Sequence, residues 1–191
     1  MQILGQNHNG SVELAKTLIE KAAYSGATFV KFQKRFPEAL ATKKFLDSPF
    51  AKCPSLGKNQ RIVRERLELN LEEYIELKKY AENLGLIFFA SAFDIPSLDF
   101  LISAGVTIIK IASHSITNGP LLNAVKESGL SVILSLGGST VNEQENAIKI
   151  LKDNPLVIFH CVSSYPTPDN LCKLDTIIKL KEKYQLPVGF S

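Results

Sequence analysis

A chain of 191 residues, 45% hydrophobic and 21% charged, has the composition of a globular domain that can build a core without disulfides. Its formal net charge of +3 comes from lysines and arginines mixed with acidic residues, which argues against nucleic acid as a partner. No apolar run approaches the roughly 20 residues that span a bilayer, no basic and apolar leader opens the sequence, and Cys53, Cys161 and Cys172 lack disulfide-framework or zinc-site spacing; the expectation is a cytoplasmic protein with no membrane partner.

The predicted elements alternate. A strand over 2–4 is followed by a helix over 11–24 with a broad apolar stripe through Val12, Leu14, Ala15, Leu18, Ile19 and Ala22. A second strand over 28–32 leads into residues 34–69, where Pro37, Pro49, Pro54 and Gly57 forbid one continuous helix. That stretch is expected to be an extended loop, a candidate lid, with short helices near 38–45 and 60–67. Its basic cluster, Lys58, Arg61, Arg64 and Arg66, is interrupted by Glu65 and Glu68 and reads as a solvated helix face; the alternative is a supplementary anion contact above a pocket. A helix over 71–84, with Asn70 as its N-cap, precedes a strand over 86–90. Helices over 95–103, 119–128, 140–152 and 171–184 then alternate with strands over 107–111, 131–134, 156–160 and 187–190. Gly26, Gly85, Gly105 and Gly129 stand just after helices, where a positive φ is often required.

Apolar strands separated by helices, at about 25 residues per unit, indicate a parallel α/β sheet, either open and doubly wound or closed into a barrel. No G-x-G-x-x-G follows the first strand, which weakens the dinucleotide-binding alternative. The position of the polar residues favours the barrel. Each strand runs into polar side chains at its C-terminal end, and in a parallel barrel those ends share one mouth. Lys31 and Lys110 are the most informative, because lysine seldom sits inside a buried strand unless it is paired or binds an anion. Two such ammonium groups, with Ser91 and Ser113 as hydroxyl donors, suit a phosphate or phosphate ester; the competing reading is local pairing with carboxylates. His8, His114 and His160 read as structural before catalytic, and Gly137–Gly138 is either a ligand-approaching turn or a plain tight turn.

The motifs G-Q-N-H-N-G (5–10), V-K-F-Q (30–33), A-S-A-F-D (90–94), K-I-A-S (110–113), S-L-G-G (135–138), H-C-V-S-S-Y-P-T-P (160–168) and V-G-F-S (188–191) together resemble the sialic acid synthase family in order and spacing. That family includes N-acetylneuraminate, legionaminate and pseudaminate synthases and spore-coat polysaccharide enzymes. The resemblance implies a (β/α)8 TIM-barrel lineage, present here as about seven strands and six helices. It implies condensation of phosphoenolpyruvate with an N-acyl hexosamine aldehyde of the N-acetylmannosamine type, giving a nine-carbon 2-keto sugar acid and phosphate. By motif, Lys31, Ser91, Lys110, Ser113, Ser135, Ser163 and Ser191 match the phosphoenolpyruvate pocket, and Gln33 and Tyr165 match sugar contacts. Asn7, His8 and His160 are candidates to line the site.

Three departures qualify the resemblance. The family's glutamate position is Ile3, so no catalytic acid or base is assigned. A second carboxylate that contacts the sugar in some members is replaced by Ser115. The family uses a divalent cation, Mn or Mg, held by two histidines whose positions fall after Ser191, so no metal ligand is assigned. The expectation is one C-terminally truncated barrel domain over 1–191, without the antifreeze-like domain, inactive by itself and free to form a homo-oligomer through exposed barrel edges. The alternatives are a non-catalytic homologue that binds a phosphorylated ligand, or another phosphoenolpyruvate-using or aldolase-type barrel.

Overall fold

The computed structural model describes residues 1–51, 55–164 and 166–191. They group into two units, Met1–Val106 and Thr107–Ser191.

The first unit contains β1 (Gln2–Gly5), α1 (Val12–Tyr24), β2 (Phe29–Lys34), α2 (Pro37–Leu40), α3 (Lys43–Leu46), α4 (Gln60–Arg66), α5 (Leu71–Asn83), β3 (Ile87–Ala92) and α6 (Ile95–Ser103). β1, β2 and β3 pair in parallel, with Ile3 opposite Lys31 and Gln33 opposite Ser91. Helix starts follow side-chain capping: the Ser11 hydroxyl accepts the Leu14 amide, and Asn70 forms a reciprocal capping box with Glu73. Strand alternation splits β2 into two sets. Val30, Phe32 and Lys34 face one way, where Phe32 stacks on Phe88 and meets Tyr74 edge-on. Phe29, Lys31 and Gln33 face the other way. Tyr74 is fully buried and donates its hydroxyl to the Gln33 carbonyl at 2.7 Å, which satisfies its polar end and locks α5 to the end of β2.

The second unit contains β4 (Ile108–Ile111), α7 (Gly119–Ser128), β5 (Ser131–Ser135), α8 (Val141–Leu151), β6 (Leu156–His160), α9 (Asp175–Tyr184) and β7 (Val188–Phe190), again with parallel strands in sequence order. The registers align Lys110 with Ile133, Ser135 with Phe159, and Phe159 with Gly189 on one face. Ile109, Ile111, Val132, Leu134 and Ile158 form the buried opposite face, and α7 packs beside α8. Asn154 joins the loops by donating to the carbonyls of Val125 and Leu130.

Two expectations change. The helix expected over 38–45 is two short helices, because Ala41 between them is extended at φ −144°. The helix expected from 171 starts at Asp175, because Lys173 takes φ 43°, which an α-helix cannot contain. The glycines after helices behave as expected: Gly26, Gly85, Gly105 and Gly129 all have φ between 66° and 75°. No helix among the described residues is long and apolar enough to cross a membrane.

Candidate functional site

In the first unit Lys31 is 3% exposed and its ammonium reaches the Ser91 hydroxyl at 3.4 Å. Gln33 lies two residues on, in register with Ser91 and with its amide against Gly5. Ile3, opposite Lys31, presents a side chain that can neither give nor take a proton. Asn7 is exposed in the turn that follows β1. His8 is buried, stacks on Phe32 and accepts the Gly10 amide at Nδ1. Burial holds its pKa down to about 4, so the imidazole is neutral at physiological pH.

A charged cluster at the end of β2 holds the 34–69 excursion in place. The Lys34 ammonium donates to the Leu69 carbonyl at 2.8 Å, pairs with Glu68 at 3.4 Å and lies 4.2 Å from the Phe100 ring centroid. Glu68 also accepts from the Gln6 amide at 2.6 Å and from the Arg35 backbone N–H. Burial raises the Glu68 pKa and lowers that of Lys34, each opposed by the partner's charge. Sequence reasoning missed this cluster. Its one signal was Lys34 falling in alternation with Val30 and Phe32, on an otherwise apolar face.

In the second unit Lys110 is 8% exposed and makes no ion pair or hydrogen bond among the described residues. Burial lowers its pKa. Ser135, on the same face, has a buried hydroxyl with no hydrogen-bond partner among the described residues. The Ser113 hydroxyl accepts the Gly137 amide at 3.1 Å. Gly137 is closely enclosed: an added Cβ would lie 2.9 Å from Cys161 Cβ and 3.0 Å from both the Cys161 carbonyl and Ser113 Oγ. The Ser163 hydroxyl borders Gly138, so Ser113 and Ser163 are both drawn to this glycine pair. Ser191 is exposed and its amide donates to the His160 carbonyl. His160 alternates away from Ser135 and Phe159, and its Nε2 is held by the Cys172 carbonyl at 2.8 Å. Its ring therefore lies on the face opposite Lys110. Tyr165 and Cys53 lie outside the described residues.

No three His, Cys, Asp or Glu side chains among the described residues are grouped to hold a metal ion. His8 and His160 have each committed a ring nitrogen to the backbone. These residues do not fit a divalent-cation site.

Comparison with known proteins places this arrangement. The chain is 36% identical over 193 residues to the N,N'-diacetyllegionaminic acid synthase of Campylobacter jejuni, covering 98% of this chain and 58% of that protein. It is 31% identical over 191 residues to the human N-acetylneuraminate-9-phosphate synthase, covering 98% and 53%. The crystal structure of an N-acetylneuraminic acid synthetase from Leptospira borgpetersenii in complex with citrate superposes with a TM-score of 0.81 at 36% identity, covering 99% of this chain and 62% of that one. The chain thus spans between half and two thirds of the length of these relatives. Its fold is α/β with parallel strands, an incomplete barrel of (β/α)8 lineage, as expected from the strand-end pattern. The NeuB family model matches residues 18–191, and the chain belongs to that family of sialic acid synthase-type proteins.

Proposed function

We propose that this chain supplies the phosphoenolpyruvate-handling part of a synthase that condenses phosphoenolpyruvate with an N-acyl hexosamine aldehyde. The observation that carries the reading is Lys110, a buried ammonium without a carboxylate, on the same strand face as the unpartnered Ser135 hydroxyl. A buried charge is costly unless something neutralises it, and a phosphate dianion with acceptor oxygens answers both groups. Lys31 beside Ser91 repeats the same pairing in the first unit. Ser113 and Ser163, at the Gly137–Gly138 turn, supply further hydroxyl contacts; by motif position Ser191 supplies another, and Gln33 and Tyr165 contact the sugar.

In the reaction, C3 of phosphoenolpyruvate attacks the aldehyde carbon and forms the new C–C bond. Water adds at C2, the C2–O bond to phosphate breaks, and a 2-keto acid two steps richer in function results: one new hydroxyl and one ketone. The lysines stabilise the departing phosphate by charge. Proton transfer to the aldehyde oxygen needs an acid, and Ile3, in the register position beside Lys31, cannot be one. Residues 1–191 alone are therefore proposed to bind phosphoenolpyruvate without turning it over. Phosphorus NMR of the chain with phosphoenolpyruvate, N-acetylmannosamine and Mn²⁺ tests this. The expected result is a shifted or broadened phosphoenolpyruvate line with no inorganic phosphate. Phosphate release above the protein-free rate would contradict the lack of turnover, and an unperturbed line would remove phosphoenolpyruvate as ligand.

A further inference from the structure

The excursion after β2 encloses a cavity of about 140 Å³, lined by Arg35, Pro37, Leu40, Ala41, Phe45 and Arg64. Two arginines and no acidic residue are among the described residues that line it. The charge balance around each arginine differs from that of the nearby Arg61. Arg61 is fully engaged, by Glu38, Asp47 and Glu65, and the adjoining cavity that it lines also contains Glu38. Arg64 has no ion pair among the described residues; its one charge contact is the Phe45 ring, 5.2 Å from the guanidinium carbon. Its Nε is buried with no hydrogen-bond partner among the described residues. Arg35 reaches Glu68 only at 3.5 Å, and that single carboxylate also serves Lys34 and Gln6. The cavity therefore carries uncompensated positive charge.

We propose that this cavity is an anion site in its own right, in which Arg64 and Arg35 hold a single phosphate or carboxylate group between apolar walls. Arginine suits the task because its planar fork binds such groups through two parallel hydrogen bonds. Of the basic residues 58, 61, 64 and 66, the fold thus spends Arg61 on ion pairs and leaves Arg64 for a ligand. The site stands on residues other than Lys31 and Lys110, so it does not depend on the phosphoenolpyruvate reading.

Inorganic phosphate, titrated calorimetrically into the 191-residue chain in a phosphate-free buffer, is the first probe. The expected result is an affinity class that Arg64→Gln weakens at least tenfold, that Arg64→Lys weakens less, and that Lys110→Met leaves unchanged. Leu40→Glu places a carboxylate in the wall at a side chain that is already exposed, and is expected to abolish the same class while the fold persists by circular dichroism. Pyruvate and N-acetylmannosamine 6-phosphate, the latter against N-acetylmannosamine, then separate a free anion from a carboxylate or a phosphorylated sugar as the source. Dependence on Arg64 in any of these arms supports the site. Phosphate affinity and stoichiometry that are equal in wild type, Arg64→Gln and Leu40→Glu would overturn it. Loss with Lys110→Met alone would also overturn it, while leaving the phosphoenolpyruvate reading intact.

Discussion

Glu68→Gln isolates the charge that ties the 34–69 excursion to the strand ends. The amide keeps the shape of the side chain and can still accept from Gln6, but it leaves Lys34 without its anion. Lys34 and Glu68 side chains are 6% and 11% exposed, so solvent screens the pair weakly. Removing one partner of a buried pair costs about 3–5 kcal/mol. Lys34 retains the Leu69 carbonyl and the Phe100 ring face, each worth on the order of 1 kcal/mol, which brings the expected loss to about 1–3 kcal/mol. For a chain of this size that lowers Tm by roughly 2–12 °C. Urea unfolding followed by circular dichroism reads the loss as a lower midpoint at unchanged slope. The double variant Lys34→Met with Glu68→Leu removes both charges and is expected to lose less than Glu68→Gln alone, since apolar replacement of a buried pair is often neutral. A Glu68→Gln loss below about 1 kcal/mol, or a double variant worse than the single, would refute the assignment of this cluster as a buried ion pair.

Stability should fall on acidification through His8. Its folded pKa of about 4 lies below the unfolded value of 6.5, so the unfolded chain binds the extra proton between those pH values and gains from it. The wild type is expected to lose about 2–3 kcal/mol between pH 7 and pH 4.5 from this group, a component absent in His8→Gln; identical pH profiles would contradict it. Gly137→Ala should cost about 1–3 kcal/mol by overpacking, because two of the three atoms that its Cβ would meet are fixed by the Cys161 backbone and Cβ. Phosphoenolpyruvate affinity should fall in the same variant as the Ser113 contact is pushed away. Unchanged melting and binding would show that this turn has room to spare.

Much of this fold was legible because its signals are local. Apolar runs marked all seven strands, and Asn70 as a capping residue set the start of α5. The strand-end lysines could be singled out because an ammonium inside an apolar strand stands against its surroundings. The excursion was less legible, because it is organised by pairs distant in sequence: Glu68 meets Gln6 across 62 positions, and Arg61 meets Glu38 across 23. No window of sequence contains those partners together. The position of His160 was readable in principle. It follows Phe159 by one residue, so strand alternation alone turns it from the face that carries Ser135.

The central claim is that a buried ammonium on β4 awaits a phosphate ester. Calorimetric titration of phosphoenolpyruvate against wild type, Lys110→Met and Lys31→Met tests it most directly. The account predicts that each methionine variant folds and binds at least tenfold more weakly, with Lys110→Met gaining thermal stability because a buried charge has been removed. Equal affinity in wild type and Lys110→Met would contradict it.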